Sequence, residues 1–253
     1  MRTNTMRSAI DIENLTVRYQ GKTALHDVNV SLPVASICGL VGMNGAGKST
    51  LFKAIMNAVP TVSGKVRLEG HTVKTAQKRG LVAYVPQTES VDWNFPVSVR
   101  DVVMMGRYGF MNPLRRPKAA DHELVDQALA RVHLTDFQDR QVGQLSGGQR
   151  KRVFVARALA QGATILLLDE PFAGVDAKTE ASLVDLLKEL QGQGITTLIA
   201  AHDLATIGSY CDHIILLKGE VIAAGPTKQV FTEENIAKTY DSVFGVKGGV
   251  PWM

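Results

Sequence analysis

The amino-acid sequence predicts an α/β fold: a mainly parallel sheet core, an antiparallel β region at the amino end, and an inserted helical subdomain. Three observations carry that expectation. Short continuous apolar runs at 36–41, 81–85, 163–168 and 195–200 have the length of strands buried on both faces. Stretches with helical spacing, such as Leu183, Leu186, Leu187 and Leu190, alternate with them, as in a sheet covered by helices. From about 90 to about 143 the alternation stops, and Trp93, Phe95, Met104, Met105, Tyr108, Phe110 and Met111 crowd one window.

Taken in order, 10–19 alternates in part and reads as a strand, turned at Gln20-Gly21-Lys22 into a paired strand at 25–32. The run 36–41 leads through a glycine-rich loop into a helix-compatible stretch at 51–57. Thr61 to Gly64 turns the chain into a strand at 65–68, and 81–85 is a short buried strand closed by Pro86-Gln87. The clearest helix of the inserted part is 121–132, where Leu124, Val125, Ala128, Leu129 and Val132 share a face. A helix at 150–160 turns Val153, Phe154, Ala156 and Leu159 inward, and Arg150-Lys151-Arg152 at its start read as helix surface. The helix at 180–190, the strand at 195–200 and a hairpin at 214–217 and 221–223 complete the core. These boundaries give one domain at 10–232, with its core at 10–89 and 144–232, a helical subdomain at 90–143, and a tail at 233–253.

The 253 residues suffice for one large α/β domain with an insertion. Lys and Arg number 28 against 24 Asp and Glu, a balance of +4 that admits nucleic acid or an anionic surface but is ordinary in the cytosol. Cys38 and Cys211 lie in or near apolar strands and read as buried thiols, not as a disulfide or metal pair. Residues 1–8 lack the apolar centre of a signal peptide, and no window approaches the roughly 18 apolar residues of a spanning helix. A cytoplasmic protein is expected, peripheral if it serves a membrane process.

The stretch from Gly42 to Thr50 joins a buried strand to a helix, the context a phosphate-binding loop requires. Gly42, Gly45 and Gly47, with Asn44 and Ala46 between them, let backbone N–H groups converge on phosphate oxygens. Lys48 would reach the β- and γ-phosphates, the Ser49 hydroxyl would complete a Mg²⁺ shell, and the helix beginning near Thr50 would add its positive end. This pattern predicts a protein that binds a nucleoside triphosphate.

Asp169 and Glu170 end the apolar run 163–168, at the sheet edge where ligand crevices lie. Two adjacent acids avoid mutual repulsion by dividing their tasks. Asp169 would orient Mg²⁺ through its water shell, and Glu170 would polarise the water attacking the γ-phosphate. Gln87 also ends a strand, and its amide could extend to the metal or to that water. His202 ends another, where a histidine serves either as an ordinary surface residue or as a γ-phosphate contact. Leu145-Ser146-Gly147-Gly148-Gln149, directly before a helix, forms a second potential anion site with Ser146 suited to cap the helix. One triphosphate needs one such loop, so a second suggests a nucleotide sandwiched between two chains.

Together these residues make the chain resemble the ATP-binding subunit of an ABC transporter from about 10 to 232. Gly42 to Ser49 is similar to Walker A, 165–170 to Walker B with its catalytic glutamate, and 145–149 matches the family signature letter for letter. The resemblance implies a P-loop NTPase fold of the ABC ATPase type, with ATP and Mg²⁺ as cofactors. It implies that Tyr19, otherwise an edge-strand packing residue, stacks on adenine. It makes Gln87 the residue linking the γ-phosphate site to a membrane partner, Asp176 part of a loop crossing the dimer interface, and His202 the switch histidine. Two copies would close head to tail, with Ser146 and Gly148 of one facing ATP held by Lys48 of the other. The implied partners are two transmembrane permease subunits and, through them, an extracytoplasmic metal-binding protein, on the cytoplasmic side of a bacterial inner membrane. No nucleic acid is expected.

Val91-Asp92-Trp93-Asn94-Phe95-Pro96-Val97, then 101–109, resembles the manganese, iron and zinc import branch, closest to manganese and iron chelate-type importers, and Phe172 to Asp176 agrees. The exposed aromatics and methionines of the insert would then form the groove for a permease helix. Met43 stands where a proline is common, and 33–36 and 57–59 each lack a glycine usual in the family. No catalytic group is lost, so active hydrolysis is expected. The competing readings are a zinc importer, an exporter, a non-transport ABC ATPase acting on nucleic acid or ribosomes, and an inactive scaffold. The long coiled-coil insertion of the repair type and the paired cassettes of the ribosome type are both missing, and the full motif set disfavours a scaffold. The six histidines are scattered singly and offer no site for the transported ion.

Overall fold

The computed structural model describes residues 8–87, 96–201 and 204–240. Strands β1 (Ser8–Tyr19) and β2 (Lys22–Pro33) pair antiparallel, and β4 (Ser63–Leu68) and β5 (His71–Thr72) extend that sheet in the order β2-β1-β4-β5. The larger sheet contains β3 (Ile37–Val41), β6 (Val82–Val85), β7 (Ile165–Asp169), β8 (Thr196–Ala201), β9 (His213–Leu217) and β10 (Val221–Pro226), ordered β10-β9-β3-β8-β7-β6. It is parallel except for the β9–β10 hairpin at its edge.

The apolar runs of this sheet are continuous because both faces are covered, and the two-residue period of a strand sorts them. Ile37, Val41, Leu166, Leu168, Ile199 and Ile214 face one core, which α5 (Gly147–Gln161) and α6 (Ala177–Gly192) cover. Cys38, Leu40, Ile165, Leu167, Leu198 and Ile215 face the other, closed by α1 (Lys48–Ile55) and the antiparallel sheet. Both cysteines are free and buried. Burial pushes the Cys38 thiol up to about 12, so it stays protonated and inert.

The insert is helical, as its composition predicts. Helix α3 (Val99–Met104) starts with a capping box between Ser98 and Asp101, and α4 (Ala119–Arg131) packs Val125, Ala128 and Leu129 inward. Asp121 of α4 meets Arg107 Nε at 3.0 Å, with both side chains largely buried. Between the main elements lie α2 (Val73–Lys78) and α7 (Leu204–Tyr210), and α8 (Thr227–Val230) and α9 (Glu233–Thr239) follow β10. Helix α9 is Thr232-capped and carries Glu233 and Glu234 in its first turn, so regular structure continues into the expected tail.

Arg150, Lys151 and Arg152 correct the reading of a solvated helix face. Each is partly buried and donates to a backbone carbonyl: Arg150 to Gly143, Lys151 to Ala173 at 3.1 Å, and Arg152 to Val132 and Ser182 at 3.0 Å. A long cation whose head finds carbonyls can bury its stem, which the helical period alone does not disclose.

Candidate functional site

The carboxyl ends of β3, β6 and β7 bring the predicted residues together. The loop after β3 has Gly45 at φ 85° and Gly47 at φ 102°, left-handed conformations that favour glycine. A Cβ on Gly42 would run into the Leu217 carbonyl, and one on Gly47 would lie 2.7 Å from Leu25 Cδ2. Those glycines seat the loop on β2 and on the β9–β10 turn, where Gly219 N–H donates to the Ala46 carbonyl at 2.8 Å. Met43, Asn44 and Gly45 are exposed, Ala46 is buried, and Thr50 is half-buried in the first turn of α1. Helix α1 begins at Lys48, earlier than the apolar pattern indicates, because the glycine loop feeds directly into it.

Lys48 is 7 % exposed, and its ammonium donates to the carbonyls of Gly42 at 2.7 Å and Met43 at 3.3 Å. Burial lowers its pKa, while the nearby carboxylates of Glu170 and Asp169 act the other way. A cation held inside its own loop by weak dipoles is suited to exchange them for phosphate oxygens.

The strand period places Asp169 on the face of β7 covered by α1. There Ser49 Oγ donates to Asp169 Oδ2 at 3.3 Å, and Tyr84 OH donates to the same oxygen at 3.0 Å. Tyr84, on β6, also stands edge-on to Phe52 of α1 at 5.9 Å. It was not among the expected site residues, because a partly apolar strand position carries no motif. A hydroxyl and a carboxylate converging in this way are the hard oxygen donors that Mg²⁺ takes. Ser49 and Asp169 would hold Mg²⁺ here, and the ion would neutralise phosphate charge when bound.

Glu170 follows at φ 48°, a left-handed value rare for a side chain other than glycine or asparagine. Its N–H donates to the Ala200 carbonyl at 2.9 Å, and Gln87 Nε2 donates to its Oε2 at 2.6 Å. Gln87 therefore meets Glu170 in this structure, directly after β6.

Ser146 and Gln149 cap α5 reciprocally: Gln149 N–H donates to Ser146 Oγ at 3.3 Å, and Ser146 N–H to Gln149 Oε1 at 3.0 Å. Gly147 has open space where a side chain would stand. A Cβ on Gly148 would strike Thr179 Cγ2, so this glycine packs α5 against α6. Asp176 caps α6, and donors from Thr179 hold its carboxyl below the usual carboxylate range. Tyr19 ends β1 and is 39 % exposed. His202, Val91, Asp92, Trp93, Asn94 and Phe95 lie outside the described residues. In the insert, Met105 and Phe110 are about 40 % exposed, whereas Met104 belongs to the core.

Among the described residues there is no helix long and apolar enough to cross a membrane, and no group of three His, Cys, Asp or Glu able to hold a metal ion. Residues 25–173 match the family model described as ABC transporter. The chain is 51 % identical over 98 % of its length to the manganese transport system ATP-binding protein MntA of Synechocystis, covering 93 % of that protein. It is 52 % identical over 94 % of its length to the chelated iron transport system membrane protein YfeB of Yersinia pestis, covering 81 % of it. Among solved structures, an inward-facing metal-chelate type ABC transporter superposes with a TM-score of 0.81 at 30 % identity, over 94 % of this chain and 90 % of that one.

Proposed function

Because the chain belongs to the ABC transporter family, we propose that it is the ATP-hydrolysing subunit that powers import of manganese and/or iron through a membrane permease. The observation that carries the hydrolytic part is the convergence of Lys48, Ser49, Asp169, Glu170 and Gln87 at one sheet edge. Lys48 leaves the Gly42 and Met43 carbonyls for the β- and γ-phosphates, and the loop amides take the remaining phosphate oxygens. Glu170 orients and polarises the attacking water, and Gln87, bonded to it here, reports nucleotide arrival to the permease side.

The signature stretch 145–149 supports a head-to-tail dimer, in which Ser146, Gly147 and Gly148 of one copy cover ATP on the other. Gln149 acts there through Ser146, and Asp176 lies at the copy–copy interface. Tyr19 stacks on adenine, Thr50 and Asn44 line the phosphate loop, and His202 contacts the γ-phosphate. Exposed Met105 and Phe110 suit a permease contact, which supports a peripheral position on the cytoplasmic face of the membrane. The similarity to manganese and chelated-iron systems supports the cargo, as does the run from Val91 to Val97.

The test is uptake of radiolabelled manganese, iron and zinc in cells whose only copy carries Glu170→Gln, beside purified wild-type ATPase assays with Mg²⁺. Loss of manganese or iron uptake with retained ATP binding is expected. Unchanged uptake of all three metals would overturn the transport reading, and loss of zinc uptake alone would reassign the cargo.

A further inference from the structure

The basic triplet after the signature stretch braces four different parts of the chain, and one brace ends at the turn that carries Glu170. Lys151 Nζ lies 3.1 Å from the Ala173 carbonyl and 3.5 Å from the Glu170 carbonyl. The first is a good hydrogen bond; the second is at the limit and acts as a charge–dipole contact. Glu170 needs such support, because its backbone sits at φ 48°. The Ala173 N–H closes the turn by donating to the Glu170 carbonyl at 3.1 Å.

Side chains of both elements, among them Lys151, Phe154, Leu168, Phe172 and Leu187, line a pocket of about 220 Å³. Phe172 packs against the same apolar cluster as Phe154 and Leu187, and the Lys151 bond adds a directional polar link beside those contacts. Burial depresses the Lys151 pKa, and the Glu170 charge opposes that depression. An ammonium is therefore kept partly desolvated beside a carboxylate that also faces Lys48.

We propose that Lys151 is a positioning residue, tying the start of α5 to the 170–173 turn so that movement of the signature stretch re-aims the Glu170 carboxylate. It acts through the Ala173 and Glu170 carbonyls. The proposal rests on the reading above, in which the signature stretch covers ATP on a second copy. One chain then serves as lid for its partner's nucleotide and as catalyst for its own, and Lys151 connects the two tasks. The link passes information between two ATP sites through a single chain.

The test compares wild type, Lys151→Met and Lys151→Arg as full-length purified proteins. For the methionine variant, kcat is expected to fall about tenfold with KM changed less than about twofold, the pattern of an interaction made in the transition state. Its ATP concentration curve should lose cooperativity while its melting temperature holds. Arginine, which also donates to carbonyls, should restore kcat to within about threefold. Hydrogen exchange at the amides of Glu170, Phe172, Ala173 and Gly174, read without nucleotide, should quicken in the methionine variant only. Unchanged exchange there overturns the link even if the wild type hydrolyses no ATP, an outcome that would instead sink the proposed function. Unchanged kcat and cooperativity in Lys151→Met, or a kcat loss that tracks lost stability and is not rescued by arginine, overturns it too.

Discussion

Gln87 Nε2 and Glu170 Oε2 lie 2.6 Å apart although 83 residues separate them in the chain. The charge-assisted bond ties the Glu170 carboxylate, just after β7, to the end of β6 and fixes one of its two oxygens.

Gln87→Ala should separate binding from turnover. Removing the amide costs Glu170 a partner of about 1.5–3 kcal/mol. Steady-state hydrolysis is expected to drop about tenfold or more while ATP affinity changes little. A tenfold loss of affinity with kcat intact would assign Gln87 to nucleotide binding instead.

Lys48→Met should abolish hydrolysis, by about a hundredfold or more, and yet stabilise the nucleotide-free chain by about 2–4 °C in melting temperature. Burial holds the folded-state pKa of Lys48 below its ordinary 10.5, so the unfolded chain binds the extra proton between those two values. Wild-type stability therefore rises with pH across that window, and the gap to the methionine variant should close as pH approaches 10.5. A gap independent of pH would show that the ammonium is not desolvated.

Gly148→Ala should be rescued in stability by a second change. The new methyl meets Thr179 Cγ2, while the Thr179 hydroxyl is held by Asp176 at 2.8 Å. Overpacking there should cost about 1–3 kcal/mol in chemical denaturation. Thr179→Ser removes the clashing methyl and keeps the capping hydroxyl, so the double variant should regain most of that loss. Activity should stay low in the double variant if, as proposed, the bare glycine also covers the partner's nucleotide. Full recovery of activity would make Gly148 a packing residue only.

Ala35→Gly should raise stability by about 1 kcal/mol. Ala35 occupies φ 53° just before β3, with its N–H bonded to Thr196 Oγ1 at 2.9 Å and its carbonyl to Gln191 at 3.1 Å. Asn57, in the other stretch without the expected glycine, also takes φ 51°, but asparagine tolerates that region better. Asn57→Gly should therefore gain less than Ala35→Gly. Equal gains, or none, would mean that neighbouring contacts and not backbone preference set these angles.

The phosphate loop, the acid pair after β7 and the signature cap were legible because each depends on neighbours in the chain. Backbone N–H direction, strand period and helix capping are local, so residue order from Gly42 to Thr50 and from Ser146 to Gln149 already determines them. What only the tertiary structure decided is which distant groups complete these pieces. Tyr84 reaches Asp169 because β6 lies beside β7, Gly148 needs to be bare because α6 packs there, and Lys151 is a brace because the 170–173 turn comes within reach. Such pairings follow from strand order and helix packing, and short-range composition carries no trace of them.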